Sequence, residues 1–261
     1  MDNPGSIEAF IIHLARAASR RPQVERLAAA CPVPVHIVDA VDGRALPKEA
    51  VDAVYLRRSL LAPRYPFALT VGEVGCFLSH RKAWQAILDT GLEAGLVIED
   101  DVEMDAAVFA RALHLARAHI AAHGVIQFQV RDIANPGPVL AASGDVRLTR
   151  PVQVPLRASC TLYSRQALQL LLDQTARFDR PVDTYVQMHW LTGLRPCLVI
   201  PSGVRDRSGD IGGTTIQARN VPLLEKLRRE ILRPVYRFRI ASLSRANDRP
   251  PVQRPACSNV G

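Results

Sequence analysis

Four short apolar runs, at Ala9–Leu14, Val35–Val38, Leu96–Ile98 and Val125–Val130, alternate with helix-length stretches through the first half of the chain. This alternation is the signature of an α/β fold. Ser19 offers an N-cap, with Pro22 in the first turn, for a helix ending near Ala30. Residues 44–71 contain three prolines and read as a loop-like excursion. Gly72–Thr90 regains helical spacing, with Phe77, Trp84 and Leu88 on one face and Gly91 as a stop. Asp105 can cap a helix whose stripe is Phe109, Leu113, Ala116 and Ile120. The stretch 131–158 is rich in Gly, Pro and Asn and holds at most a hairpin, as substrate loops and lids often do. Ser164–Thr175 and Val182–Leu191 read as helices and Cys197–Ile200 as a strand.

With 48% hydrophobic and 22% charged residues, the 261-residue chain belongs among globular proteins and can bury a sizeable core. No stretch approaches the ~18 apolar residues of a membrane span. The opening apolar run is too short for a signal-peptide core and has no basic segment before it, so none is expected. Cys31, Cys76, Cys160, Cys197 and Cys257 are odd in number and scattered. They argue against a disulfide framework or thiolate zinc site and for a reducing, cytoplasmic setting.

The net charge of +8 is unevenly placed. Residues 219–261 hold ten Lys and Arg against three acids, an excess of +7 that leaves +1 for the first 218 residues. Only 5% of the chain is aromatic, so basic stripes able to stack bases are missing and nucleic acid is not an expected partner. The reading divides the chain into a domain over 1–218 and a tail over 219–261. The tail is expected to be a basic amphipathic helix ended by Pro234, followed by a disordered end.

Directly after the third apolar run come Glu99, Asp100, Asp101, Glu103 and Asp105, five carboxylates within seven residues. In open α/β sheets, ligands bind at the carboxyl ends of strands. Along an extended segment Glu99 and Asp101 share one side and Asp100 takes the other. Clustered oxygen ligands suit Mg²⁺ or Mn²⁺ bridging to phosphate. A solvated helix N-terminus explains Glu103 and Asp105. It does not explain acids appended to an apolar strand, where self-repulsion is costly without a cation. An EF-hand is excluded, because the turn glycine is missing and position 12 from Asp101 is Ala112.

Gly72-Glu-Val-Gly-Cys-Phe-Leu-Ser-His80 opens a helix with a glycine pair whose N–H groups could face an anion. Cys76 and His80 share a face, as a thiol nucleophile or, the preferred reading, as a packed thiol beside a satisfied histidine. Arg16, Arg20 and Arg21 follow the first strand, placed to contact phosphate or simply to remain solvated. Asp183, in Pro181-Val-Asp183, reads most plainly as an N-cap. No P-loop, GxGxxG, HExxH or GxSxG motif is present.

In this order the pieces resemble glycosyltransferase family 25, the bacterial lipopolysaccharide galactosyltransferases and their collagen-modifying relatives. The matching stretches are Phe10–Arg16 with Arg20-Arg21, Val38–Gly43, Leu69–His80, Leu96–Val102 and Pro181–Asp183. Together they cover roughly residues 7–205, as far as one sequence fixes a boundary. The first strand ends His13-Leu-Ala15-Arg16 where the family usually has Asn-Leu-Asp-Arg.

The resemblance implies a GT-A type α/β fold, a mostly parallel sheet flanked by helices. It also implies a UDP-sugar donor, usually UDP-galactose, with Mn²⁺ (or Mg²⁺) dependence and inversion at the sugar carbon. A divalent cation would stabilise the leaving diphosphate, held by Asp101 with Glu99. One carboxylate would deprotonate the acceptor hydroxyl, with Asp183 the first choice and Glu73 the second. Arg16, Arg20 and Asp100 would support the diphosphate or nucleotide, and Ser79 and His80 the donor pocket. The expected acceptor is a glycan or glycolipid such as lipopolysaccharide or exopolysaccharide. Two alternatives stand beside this reading: a metal-dependent sugar-nucleotide phosphohydrolase, and a non-catalytic membrane-surface adaptor. Leu223, Leu224, Leu227 and Ile231 form a leucine-type face, with Lys226, Arg228 and Arg229 elsewhere. Residues 219–240 could therefore meet an anionic membrane on its inner, cytoplasmic side or pack on the domain.

Overall fold

The computed structural model describes residues 6–58, 60–207, 209 and 223–248. The side chains of 223–228 lie outside that description, and with them Leu223, Leu224 and Leu227 of the expected helix face. Residues 249–261, the expected disordered end, lie outside it as well.

The strands are β1 (Ile7–His13), β2 (Val35–Asp39), β3 (Ala94–Glu99), β4 (Val102–Met104), β5 (Val125–Phe128), β6 (Val139–Ser143), β7 (Val146–Thr149), β8 (Cys160–Ser164), β9 (Cys197–Ile200) and β10 (Val204–Asp206). The helices are α1 (Arg21–Ala30), α2 (Lys48–Val54), α3 (Val71–Asp89), α4 (Ala106–His123), α5 (Arg165–Gln174), α6 (Val182–Val186), α7 (His189–Thr192) and α8 (Leu223–Ala246). Eight strands form one sheet in the order β2-β1-β3-β8-β5-β9-β7-β6, and β4 pairs with β10 in a small ribbon. The pairings leave six strands of the large sheet pointing one way and only β7 and β8 reversed. The mostly parallel α/β sheet expected from the alternation is present.

Side-chain alternation divides the core into two layers. Ile7, Ala9 and Ile11 of β1 and Leu96 and Ile98 of β3 pack with Leu27 of α1 and Phe109 and Leu113 of α4. Phe10, Ile12 and Val97 face the other way, onto Phe77, Trp84 and Ile87 of α3 and Leu168 of α5. Period-two alternation on strands and a stripe on each helix make this three-layer arrangement the one that buries every apolar face.

Local chemistry sets the helix ends. Thr70 and Glu73 form a capping box on α3, Asp105 caps α4 through Ala107 and Val108, and Ser164 caps α5. At Gly95 in β3 a Cβ would lie 2.5 Å from the Ile87 side chain, so glycine there lets α3 lie close against the sheet.

The structure departs from several expectations. The supposed loop 44–71 contains α2. The expected helix over Val182–Leu191 is two short ones, α6 and α7. Strand β8 has no strong turn signal before it and was not foreseen. Pro234 does not end the last helix: α8 continues through it to Ala246. Beyond the proline, Tyr236, Ile240 and Ser244 are buried, and Tyr236 Oη lies 3.1 Å from the Arg180 guanidinium. This packing outweighs the one backbone hydrogen bond and the ring clash that proline imposes. Among the described residues no helix is long and apolar enough to cross a membrane.

Candidate active site

Strand β3 stops at Glu99, and the chain turns at Asp100 and Asp101 before β4. The expected strand-like alternation is therefore replaced by a turn, and all three acids border one cleft. Its other walls are Ile12 of β1, Leu14, Arg16 and Arg20 after β1, residues 40–43 after β2, and Gly72, Cys76, Ser79 and His80 of α3. The cleft encloses about 120 Å³, less than the ~300–1,000 Å³ of typical ligand pockets. It suits a diphosphate-sized anion rather than a whole nucleotide sugar.

The three acids have different surroundings. Glu99 Oε1 lies 3.0 Å from His80 Nε2, and Glu99 Oε2 accepts from Ser159 Oγ at 2.7 Å. Burial would raise its pKa, but the His80 hydrogen bond and imidazole, then Ser159 and Arg157, hold it below the ordinary value. Asp100 is buried, with His13 Nδ1 at 2.7 Å from Oδ2 and Arg20 donating to Oδ1 at 2.8 Å. Both of its oxygens are engaged, so Arg20 and Asp100, expected to support the donor, also serve each other.

Asp101 is the exception. Among the described residues its carboxylate has no hydrogen-bond or ion-pair partner. Burial, then the charges of Glu99 and Asp100, push it up to about 7, with Arg20 opposing. A half-buried carboxylate facing two others is poorly satisfied in the apo state and well suited to a hard cation. The residues present fit the divalent metal that the motifs imply.

The glycine–serine–histidine block has mainly structural duties. A Cβ at Gly75 would sit 2.7 Å from Gly43 N, and one at Gly43 would sit 1.8 Å from Val71 O. Ser79 Oγ accepts from Val41 N at 2.8 Å and donates to the Gly75 carbonyl at 2.7 Å. Residues 41–43 and the start of α3 are thus pressed backbone to backbone. Arg16 lies on the rim, paired to Asp42 at 2.5 Å.

Cys76 Sγ, His80 and Glu99 bring their ligand atoms within 4.8 Å of one another. Sulfur and nitrogen make this a softer donor set than Mn²⁺ prefers. Burial first, then Glu99, Asp183, Asp101 and Glu73, raises the Cys76 thiol well above its ordinary value. A raised thiol pKa disfavours a thiolate at Cys76, while His80 engages Glu99 through Nε2 and its buried Nδ1 has no hydrogen-bond partner among the described residues. The same four acids mark Cys76 as the point around which the sequence-predicted carboxylates converge.

Asp183 is not an N-cap. Pro181 holds that position and Asp183 sits in the first turn of α6. Its Oδ1 accepts from Thr184 N at 2.6 Å, and its Oδ2 from Arg157 N at 3.3 Å. Burial raises its pKa, Glu99 adds to the rise, and the two backbone donors oppose it. Phe178, just before α6, stacks on Phe77 of α3 with centroids 3.9 Å apart, fixing α6 against the site. Glu73 Oε2 accepts from Thr70 N and Oγ1 at 2.7 and 2.9 Å, so its carboxylate is engaged in capping.

Four site residues escaped the sequence reading: His13, Arg157, Ser159 and Asp206. Arg157 has φ +82° and reaches Asp206 at 2.7 Å while its N–H faces Asp183. Polar residues in a Gly- and Pro-rich stretch give no periodic signal. Only His13, ending an apolar strand opposite the acid run, was open to notice.

The carboxylate turn at the end of β3 thus faces an arginine-bearing cleft on a mostly parallel α/β sheet. Residues 6–133, just under half of the chain, match the family model described as Glycosyltransferase family 25 (LPS biosynthesis protein). Procollagen galactosyltransferase 2 of Homo sapiens is 41% identical over 107 residues, 40% of this chain and 17% of its own length. Procollagen galactosyltransferase 1 of Danio rerio is 39% identical over 106 residues, 40% and 18% of the two chains. Inactive glycosyltransferase 25 family member 3 of Homo sapiens is 39% identical over 103 residues, 39% and 17%. The chain thus spans less than a fifth of the length of these curated relatives. Among solved structures, a Drosophila β-1,4-galactosyltransferase 7 mutant complexed with manganese, UDP-Gal and xylobiose aligns over 86% of this chain and 79% of that one, at 11% identity and a TM-score of 0.41. A mannose-1-phosphate geranyltransferase from Thermus thermophilus aligns over 75% and 73%, at 14% identity and a TM-score of 0.40. Both likenesses are distant.

Proposed function

We propose that this chain transfers a hexose, galactose in the first instance, from a UDP-sugar to a hydroxyl of a glycan acceptor such as lipopolysaccharide or exopolysaccharide, with inversion. The observation that carries this reading is Asp101, a half-buried carboxylate without a hydrogen-bond or ion-pair partner among the described residues, pushed up to about 7 in a cleft bearing Arg16 and Arg20. Asp101, supported by Glu99, would hold a divalent cation, which when bound supplies Lewis-acid stabilisation of the diphosphate leaving group. Arg16 and Arg20 lower the cost of bringing the diphosphate beside three acids.

In the transfer step the acceptor oxygen bonds to the anomeric carbon while the bond from that carbon to the β-phosphate oxygen breaks. UDP leaves with the electron pair, and the hydroxyl proton passes to Asp183. The raised pKa of Asp183 strengthens it as a base, provided the pH lies above that value. Arg157 N and Thr184 N orient the carboxylate. Glu73, engaged in the capping box, is the weaker candidate.

A membrane surface belongs to the same reading. Ile231, Val235 and Phe238 of α8 are 60%, 45% and 68% exposed, recur at i, i+4 and i+7, and are flanked by Arg239. An apolar strip beside basic residues suits the surface of an anionic bilayer. The four described cysteines are free, which supports a cytoplasmic, reducing setting.

The test is a thermal-shift screen of nucleotide sugars with and without Mn²⁺, followed by turnover with and without a soluble glycan acceptor. Metal-dependent stabilisation by a UDP-hexose and acceptor-dependent release of UDP are expected. Hydrolysis indifferent to acceptor would favour the phosphohydrolase, and no donor binding the adaptor.

A further inference from the structure

A second and larger concavity lies apart from the acid cleft. It encloses about 970 Å³ between α8 and the segment joining β5 to β8, and it shares no lining residue with the acid cleft. Its size is at the upper end of small-ligand sites. Its lining includes Leu156 and Thr184, the immediate sequence neighbours of Arg157 and Asp183. A molecule lying in this groove therefore reaches a residue adjacent in sequence to Asp183, the proposed base.

The lining has two characters. Tyr65, Phe67 and Tyr236 contribute aromatic surface, with Tyr65 edge-on to both of the others at 5.6 and 5.4 Å between centroids. Ring faces and edges of this kind pack against the C–H faces of sugars; Tyr236 Oη is held by Arg180. Along the α8 edge stand Arg233, Arg237 and Arg245, all exposed. They are spaced by multiples of one helical turn and span about 18 Å of helix. Among the described residues none of the three has an ion-pair partner. Asp248 is the only acid among the described residues of the lining, and it is paired to Arg195. Three uncompensated guanidinium groups along one wall create a positive field that a neutral glycan would not use and an anionic one would.

We propose that this groove is the acceptor site and that it selects an anionic oligosaccharide, its sugar rings on the aromatic wall and its phosphate or carboxylate groups on Arg233, Arg237 and Arg245. This rests on the transferase reading above and adds the chemical class of the acceptor. The anion could be supplied by phosphate or by carboxylate, since a guanidinium pairs with both in two-point fashion.

The experiment uses the full chain and core oligosaccharides released from lipopolysaccharide, in four forms: untreated, phosphatase-treated, carboxyl-reduced, and subjected to both treatments. Binding is measured by calorimetry, independently of turnover, alongside UDP-galactose binding with Mn²⁺. Untreated oligosaccharide should bind at least tenfold more tightly than the doubly treated form. The singly treated forms tell phosphate from carboxylate. Arg237→Glu with Arg245→Glu should abolish that preference and raise KM for the acceptor tenfold or more. Donor binding should be unchanged, and Arg177→Glu, outside the groove, should leave the preference intact. Equal binding of charged and neutral forms, or a preference surviving the double charge reversal in the folded protein, overturns the proposal. Failure of the parent to bind any UDP-sugar instead overturns the transferase reading, whatever the groove does.

Discussion

His80 Nε2 lies 3.0 Å from Glu99 Oε1, joining the middle of α3 to the last residue of β3. The His80 side chain is almost wholly enclosed and that of Glu99 is about one quarter exposed. The pair therefore sits at the boundary between core and cleft. It holds one carboxylate ionised and fixed beside another, that of Asp101, which has no hydrogen-bond donor among the described residues.

Removing the imidazole should expose this dependence. His80→Ala leaves Glu99 with Ser159 Oγ at 2.7 Å and the weak Cys76 Sγ donor at 4.0 Å, and opens a void beside Trp84, whose ring lies 6.2 Å from that of His80. A destabilisation of about 3–5 kcal/mol is expected from breaking a largely buried pair. Urea denaturation measures it. A loss below about 1 kcal/mol would mean that His80 does not support Glu99.

The pH dependence of the apo protein carries a sign. Asp101 ionises at about 7 when folded, against 3.8 ordinarily. The folded state therefore holds the proton more tightly, and this contribution to stability is present at low pH and lost as pH rises from about 4 through 7. Its ceiling is about 4 kcal/mol, reduced by relaxation and water entry. Asp101→Asn should flatten that part of the stability profile, and Mn²⁺ should stabilise the parent above pH 7 but not the variant. Turnover of the variant should fall about 100-fold or more with the fold intact. Undiminished turnover would remove Asp101 from the site.

Asp183 and Glu73 are separable by what each change spares. Asp183→Asn should lower transfer about 10²–10⁴-fold while UDP affinity holds. Glu73→Ala should cost about 1 kcal/mol of helix capping and leave turnover per folded molecule near the parent's. Because Asp183 is raised by burial, the acid limb of the rate profile should lie above the ordinary carboxylate range. If Asp183→Asn abolishes UDP binding, Asp183 contacts the donor instead.

The exposed face of α8 offers a membrane test that leaves the packed face alone. Val235→Asp with Phe238→Asp should weaken salt-sensitive binding to phosphatidylglycerol vesicles by tenfold or more. Transfer to a soluble acceptor should stay unchanged. Unaltered vesicle binding would move any membrane contact elsewhere.

How far the chain could be read without coordinates followed from the kind of signal each part carries. β1, β3, α3 and α4 were legible because apolar period and caps such as Asp105 are local. The acid run was legible because five carboxylates after a buried strand have few plain explanations. Its geometry was not: Asp100–Asp101 form a turn, and Asp100 is matched by His13 and Arg20, 87 and 80 residues away in sequence. The glycines at 72 and 75 suggested anion binding, whereas Gly75, together with Gly43, marks the contact of two backbones far apart in sequence. Pro234 was misread because a local rule yielded to the burial of Tyr236 and Ile240.

The left-handed backbone at Arg157 sets two separate demands on one position. The conformation favours glycine, asparagine or aspartate, whereas the ion pair to Asp206 needs a cation. A saturation library there, sorted once for soluble expression and once for transfer, should yield two nearly disjoint sets of survivors. The first would be enriched in small and amide residues, and the second confined to arginine and lysine. Position 157 would then be a place where an ancestor could drift between folding well and working well without being able to maximise both.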